Sequence, residues 1–374
     1  MEAIVTASAD NAIPSGEILM RILKGSIAAA ASDIHLRAGH APIVRMEGTL
    51  RPLEHPALSA RFIATSRDAL ARAAGFDEAR LAARQGNFAC EIEGVGRLRV
   101  HFYQQSGTPA LVLRTIPSPI PDFAVLRVPP VLKRLVALER GMVVISGATG
   151  NGKSTTIASL LERVNQERSK HVVTIEEPIE FLFEEYRSTF SQREVGRDVD
   201  SVEEGLTGAL REDPDWIFVG EIRTPKEFEI ALSAAEAGHV VVSTLHSQDT
   251  ARAVQRMIHF YPEEHQATVR ERVADVLAAV IAQRLIPKRG TRERILACEV
   301  MMRTPTIQDC IRDASRFRGI IQALEAGAGE YGTQSFDQVL LSLVRDQLVT
   351  PESARAAATN PNDLVRTMKL GKRA

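Results

Sequence analysis

The apolar positions change their spacing twice along the chain, and the changes mark out its parts. Ile18, Leu19, Ile22 and Leu23 recur at three- and four-residue intervals, predicting a helix from Ser15 to about Ile27 with one apolar stripe. Residues 1–12 before it read as a frayed lead-in. Short extended runs follow at Ile34–Leu36, at Pro42–Met46 and over 87–93 and 97–103. Gly94, Val95 and Gly96 separate the last two, which alternate as a hairpin does. With a strand at Ala110–Arg114 and helical stretches near 59–73 and 75–84, residues 1–114 predict a small α+β domain of three or more strands.

The pattern breaks at TIPSPIPDF, Thr115–Phe123, where three prolines in nine residues predict a stiff, extended connection. We place the linker at 115–127 and a second domain at 128–374. After Pro129 and Pro130 comes a predicted helix, Val131–Glu139. Separate β-branched runs then appear at 142–145, 171–175, 216–219, 240–244 and 295–300, with helical patterns between most of them. That succession predicts an α/β fold: a largely parallel sheet with helices on both faces. Residues 263–286 read as one long helical tract or two packed helices. Beyond 305 the chain reads as wholly helical, near 306–313, 316–326, 335–346 and 351–358, with a loose basic end at Lys369–Ala374.

Candidate chemistry concentrates where the first core strand ends. MVVISGATGNGKSTTIASLLERVNQE, residues 142–167, contains G-x-x-x-x-G-K-[ST] in its required setting of strand, loop and helix. The glycines allow backbone N–H groups to turn inward around phosphate oxygens, and the helix start adds more. Gly147, Ala148, Thr149, Gly150, Asn151, Gly152, Lys153, Ser154 and Thr155 are therefore the expected nucleotide-binding residues. Lys153 would reach the β- and γ-phosphates of ATP or the phosphates of ADP, and the Ser154 hydroxyl would take a place on Mg²⁺.

Hydrolysis also needs a base and positive charge. Glu176 and Glu177 end the strand VVTIEEP, and Glu221 follows the strand WIFVG, beyond whose start lies Asp215. Acidic residues beyond the carboxyl ends of parallel strands face the crevice where ligands bind. Glu221 is the candidate base, and Glu177 a candidate catalytic carboxylate and metal ligand beside Ser154. His246, in VVVSTLHSQDT, and His239, in EAGHVV, are candidates for sensing phosphate or orienting water. Arg97, Arg99 and Arg114, on strands of the first domain, are the candidates for charge brought to the nucleotide, across subunits if the chain forms a ring.

Composition narrows the classes. At 374 residues with 44% hydrophobic and 25% charged residues the chain is ordinary globular material. A formal charge of -1 gives no support for nucleic-acid binding. Cys90, Cys298 and Cys310 are too few and too scattered for a four-thiolate zinc site or a disulfide framework. No run approaches the eighteen apolar residues of a membrane span, so membrane association would be peripheral.

The ordered motifs resemble those of the secretion and pilus motor ATPases, and within them the type IV pilus retraction ATPases (PilT/PilU-like). ASDIHLRAGHAPIVRMEG at 31–48 is similar to the opening motif of that family's PAS-like N-terminal domain. GATGNGKSTT at 147–156 resembles its Walker A stretch, VVTIEEPIEF at 172–181 its Asp box and QREVGRD at 192–198 a shared core segment. ALREDPDWIFVGEIR at 209–223 resembles its Walker B region and AEAGHVVVSTLHS at 235–247 its His box. RLRVHF at 97–102 and LRTIPS at 113–118 resemble its arginine-bearing strands. The resemblance implies a RecA-like ATPase core with a helical C-terminal region behind a PAS-like domain. It further implies a homohexamer that hydrolyses ATP with Mg²⁺ in the cytoplasm, at the inner-membrane base of a pilus. Its implied partners are a membrane platform protein and a paralogous retraction ATPase. The alternatives are a nucleotide-binding structural or regulatory ring partner of another motor, or a pilus extension or type II secretion ATPase. Three places depart from the family pattern. Thr224 stands where aspartate is common, Glu177 where aspartate is usual in the Asp box, and Gln308, Asp309 and Cys310 alter the retraction motif at TIQDCIRD, 306–313.

Overall fold

A computed structural model describes residues 15–371 apart from residue 292, and in it the chain forms two units. The first takes the chain up to Pro119 together with 177–182 and 194–200; the second takes 120–176, 183–193 and the chain from 201 onward. The expected lead-in at 1–12 lies outside the described residues.

Alternation builds the first unit. Strands β1 (Asp33–Arg37), β2 (Ile43–Met46), β3 (Thr49–Pro52), β4 (Gln85–Ile92), β5 (Gly96–Gln105) and β6 (Thr108–Thr115) form one sheet in the order β3-β2-β1-β6-β5-β4. Every neighbouring pair is antiparallel. Ile34 and Leu36 of β1, Leu98, Val100 and Phe102 of β5, and Leu111 and Leu113 of β6 point into one core. Helices α1 (Ser15–Ala28) and α2 (Ala60–Ala74) contribute Ile18, Leu23, Phe62 and Ile63 to the same core. Ser59 caps α2 by accepting from the Phe62 N–H at 3.1 Å, and Gly75 ends it at φ 63°. Of the helix expected at 75–84, only a 3₁₀ turn at Glu78–Ala82 forms. Strand β3 is exposed at all four positions and therefore carries no apolar period to read.

Two later pieces of chain pack with this unit through polar contacts. Arg97 Nη2 donates to the Ile179 carbonyl at 2.7 Å, Arg99 pairs with Glu180 at 3.0 Å, and Arg80 with Asp200 at 2.9 Å. The Glu194 carboxylate accepts from the Ile179 N–H at 3.0 Å. Burial pushes the Glu194 carboxyl up, against the pull of that hydrogen bond and of Arg97.

In the second unit β7 (Gly141–Ser146), β8 (His171–Glu176), β9 (Thr189–Glu194), β10 (Trp216–Val219), β11 (Val240–Leu245), β12 (Leu277–Pro287) and β13 (Arg294–Met302) form a sheet ordered β13-β12-β7-β11-β10-β8-β9. From β12 through β7, β11 and β10 to β8 each pair is parallel, and β13 is antiparallel to β12. The expected connection at 115–127 contains the end of β6 and a short helix, α3 (Phe123–Leu126), so it is not extended throughout. Residues Pro130–Ala137 form a 3₁₀ helix, and α4 (Lys153–Glu167), α5 (Val202–Ala209), α6 (Pro225–Glu236), α7 (Thr250–Ile258) and α8 (Glu263–Val276) connect the strands.

The helical tract expected at 263–286 is corrected: α8 stops at Val276 and Leu277 opens an eleven-residue strand. β12 lies between β7 and β13 and its first seven residues are all buried, and Leu277–Ala282 is a continuous apolar run without alternation. Such a run has no period that separates strand from buried helix. Beyond β13 the chain is helical: α9 (Pro305–Arg312), α10 (Ile320–Ala326), α11 (Ala328–Tyr331), α12 (Phe336–Arg345), α13 (Pro351–Ala357) and α14 (Pro361–Gly371). Leu340, Val349, Ala354 and Leu364 from this region pack on Ile286, Ile295 and Ala297 of β12 and β13. Helix α14 takes in Lys369, which was expected to be loose; residues 372–374 lie outside the described residues.

One buried carboxylate ties these layers together. Glu299 of β13 accepts from the Thr250 N–H and hydroxyl, both at 2.8 Å, and from the Phe336 N–H at 3.2 Å, joining the starts of α7 and α12. Burial pushes its carboxyl above the ordinary 4.5 despite those three donors. A raised folded value means that this group's contribution is fully present below 4.5 and is lost as pH rises through the folded value. The stability difference between wild type and Glu299→Gln, measured by urea denaturation, should therefore move against the wild type as pH rises from 4 to 8. Each tenfold gain in proton affinity on folding corresponds to about 1.4 kcal/mol. A difference independent of pH would show that Glu299 binds its proton no more tightly in the fold.

Candidate nucleotide site

The parallel strands β7, β10 and β11 bring three chain segments to their carboxyl ends. β7 leads into the glycine-rich loop, β11 into His246, and β10 into Gly220 and Glu221. Hydroxyls keep these ends in register. Ser146 Oγ donates to the Ser247 carbonyl at 2.9 Å and accepts from the Ser247 N–H at 3.2 Å. Ser243 and Thr244 of β11 donate to the carbonyls of Val219 and Gly220, at 2.9 and 2.6 Å.

The loop itself is pressed against β12. Gly147 has φ 143°, and a Cβ there would stand 2.6 Å from the Gln283 carbonyl oxygen, so only glycine fits. Asn151 donates from Nδ2 to the same carbonyl at 3.0 Å and accepts from the Leu285 N–H at 3.3 Å. Gln283 Nε2 donates to the Thr156 hydroxyl at 2.7 Å, within the first helical turns of α4. Gly152, at φ 79°, turns the chain into α4. Ala148, Thr149 and Gly150 are exposed, while Lys153, Ser154 and Thr155 are half-buried at the helix start.

Lys153 Nζ donates to the carbonyls of Gly147 at 2.8 Å and Ala148 at 3.2 Å, and lies 3.5 Å from His246 Nδ1. The other ring nitrogen of His246, Nε2, is 3.0 Å from a Glu221 oxygen. An ammonium can only donate and a carboxylate can only accept, so Nδ1 is the acceptor and Nε2 carries the proton. His246 thus joins the loop lysine to Glu221. Arg223 Nε donates to the second Glu221 oxygen at 3.0 Å, and Arg256 donates to the His246 carbonyl at 3.0 Å.

The remaining candidates fall elsewhere. His239 precedes β11 at the opposite, amino-terminal end of the strand and donates from Nδ1 to the Pro214 carbonyl at 2.7 Å. About six residues of strand, roughly 20 Å, separate that end from the P-loop end. His246 is brought to the loop and His239 is not. Glu176 is buried at the end of β8 and accepts from the Thr174 hydroxyl at 2.8 Å, while Glu177 is exposed and packs with the first unit. Arg99 and Arg114, also in the first unit, pair with Glu180 at 3.0 Å and Asp33 at 2.8 Å. Among the described residues no group of three or more His, Cys, Asp or Glu side chains is placed to hold a metal.

Thr224 caps α6. Its hydroxyl accepts from the Glu227 N–H at 3.2 Å, and the Glu227 carboxylate accepts from the N–H groups of Thr224 and Arg223, at 3.1 and 2.7 Å. This reciprocal box fixes the segment that carries Glu221 and Arg223. The altered motif at 306–313 forms α9, with Ile307, Cys310 and Ile311 buried and Arg312 paired with Glu271 and Asp275 of α8.

Residues 8–337 match the type II/IV secretion system protein family. The chain belongs to that family. Within it, the type IV pilus retractation ATPase PilT of Pseudomonas aeruginosa is 38% identical over 92% of this chain and 99% of its own length. The type IV pilus ATPase PilU of the same organism is 34% identical over 94% of this chain and 91% of its own. A crystal structure of the pilus retraction motor PilT with bound ADP superposes with a TM-score of 0.82 at 36% identity, covering 93% of this chain and 99% of that one. The ATPase DotB of Legionella pneumophila, at 24% identity and a TM-score of 0.75, shares the fold.

Sequence reasoning did not single out Gln283, Ser146, Arg223 or Arg256. Gln283 carried a usable signal, a lone amide inside the apolar run 277–286, since a buried amide needs a partner. Gly147→Ala should force the loop off β12. We expect at least a tenfold loss of ADP affinity by equilibrium binding. A cost of about 1–3 kcal/mol in stability is expected alongside it. Wild-type affinity in that variant would show that the close approach to Gln283 does not shape the loop.

Proposed function

We propose that the chain is an ATP-hydrolysing motor of type IV pilus retraction, working as a homohexamer on the cytoplasmic face of the inner membrane. The contact carrying this reading is His246 between Lys153 and Glu221, which couples a phosphate-binding lysine to a carboxylate placed as a base. When ATP enters, the Lys153 ammonium leaves the Gly147 and Ala148 carbonyls for the β- and γ-phosphates. His246 then loses its donor at Nδ1, which is left facing the γ-phosphate edge. Glu221, held by His246 and Arg223, takes the proton of the attacking water.

The loop suits a nucleotide: Gly147 lets it lie against β12, Ala148, Thr149 and Gly150 are left exposed, and the Ser154 hydroxyl sits in the first turn of α4. Mg²⁺ binds through phosphate oxygens and water with only one or two protein ligands, and the Ser154 hydroxyl would be one of them. That ion would neutralise charge on the phosphates. Arg99 and Arg114 are partly exposed, and each would exchange its carboxylate for a phosphate oxygen. The platform protein of the pilus base and a paralogous retraction ATPase are the proposed partners, with no role for nucleic acid or zinc.

Glu221→Gln should keep ATP binding within about threefold and lower turnover by 10²-fold or more. Lys153→Ala should lose both binding and turnover. Phosphate release and nucleotide binding measured on both variants decide the assignment; brisk turnover by Glu221→Gln would remove Glu221 from its role. For the ring, mixing Arg114→Ala subunits with Lys153→Ala subunits should restore part of the ATPase activity that each lacks alone. An active monomer at micromolar concentration by light scattering would overturn the hexamer.

A further inference from the structure

On the sheet of the first unit, the face turned away from the core carries a second set of anion-seeking groups. His35 of β1 is paired in register with Val112 of β6, and Val112 with His101 of β5, so the two histidines flank one residue on a common face. Arg84, Gln85, Tyr103, Gln104 and Gly107 complete the walls of a cavity of about 860 Å³ around them. All of these residues belong to the first unit.

Three observations give the cavity a preference. His35 Nε2 is buried and has no hydrogen-bond partner, an expensive condition for a ring nitrogen. No aspartate or glutamate lines the cavity. Burial first, and then Arg45, Arg37 and Arg114, hold the His35 imidazole below its ordinary value, and Asp33 alone opposes them. Asp33 is already engaged by Arg114 at 2.8 Å and by the Ser32 hydroxyl at 2.8 Å. Asp33, the strongest charge acting on His35, is thus already paired, and Arg45 and Arg37 act on His35 beside it. His101 donates from Nδ1 to Asn87 Oδ1 at 3.0 Å, which leaves its Nε2 available, and its ring stacks on Tyr103 at 5.6 Å.

We propose that this cavity binds a phosphate group, carried on a small organic body, through Arg84, His35 and His101. A phosphate offers acceptors to the Arg84 guanidinium and to His35 Nε2 together, with His101 Nε2 facing the same space. The volume exceeds that of a bare phosphate and falls in the range of small-molecule sites. The amides of Gln85 and Gln104 and the face of Tyr103 would meet the organic part.

The test is equilibrium dialysis of the full chain, held at saturating ADP, against radiolabelled inorganic phosphate and against glycerol 3-phosphate. Arg84→Gln and His101→Gln should each weaken binding of both probes at least tenfold. Arg84 is exposed, so its substitution leaves the fold intact whatever happens at His101. Tighter binding of glycerol 3-phosphate than of phosphate supports an organic body on the ligand, and equal binding overturns that part of the proposal. Titrations of both variants that superpose on the wild type, or no binding of either probe at millimolar concentration, would overturn the site.

Discussion

The candidate nucleotide site depends on how near Gly147 passes to the backbone of β12. A loop that must present its N–H groups to phosphate cannot also use them to hold itself together, so its shape has to come from outside. β12 supplies it. The Gln283 carbonyl lies where a Cβ of residue 147 would be, and it also accepts from Asn151, while the Gln283 side chain reaches the third turn-forming residue after Lys153. The loop is held from its outer edge, and its inner edge is left for ligand.

The same economy appears in how the site's charges are placed. Lys153, His246 and Glu221 come from three strands, and their meeting requires that three strand ends stop at matched heights. Ser146, Ser243 and Thr244 enforce this through hydroxyl-to-backbone bonds from one strand end to the next. Thr224 extends the arrangement. An aspartate at this position would bring a charge that threonine lacks, yet at an N-cap what matters is an oxygen that accepts from the third N–H, and threonine provides one. The carboxylate of the box comes from Glu227, so Thr224 keeps the segment after Glu221 fixed without bearing charge itself.

How much of this the sequence disclosed follows from which signals are local. The P-loop was legible because its glycines, lysine and serine are consecutive and their spacing is set by phosphate geometry. Glu221 and His246 were legible because parallel strands deliver the next residues to one edge. The buttress of the loop was not, since β12 is buried on both faces and reads as a helix until its neighbours are known. His239 shows the converse. A histidine one residue before a strand is as near in sequence as one just after it, but lies a full strand length away in space. The attachment of 177–182 and 194–200 to the first unit depends on single arginine and glutamate contacts that leave no periodic trace.

Those contacts also answer a difficulty in the first unit. Arg99 and Arg114 are direct partners across β5 and β6, and like charges directly opposite each other destabilise a sheet. Asp33, opposite Arg114 on β1, neutralises one of them. Nothing on the sheet neutralises Arg99 in the same way: on its other side β4 offers Ala89. Its counter-charge comes instead from Glu180, on a segment distant in sequence, whose backbone Arg97 anchors through the carbonyls of Ile179 and Glu180. Each guanidinium of the pair thus has its own anion, one built into the sheet and one delivered by the chain that follows β8. A neutral group in the place of Glu180 would leave Arg99 without a counter-charge beside the Arg114–Asp33 pair, whereas an anion would keep both guanidinium groups paired.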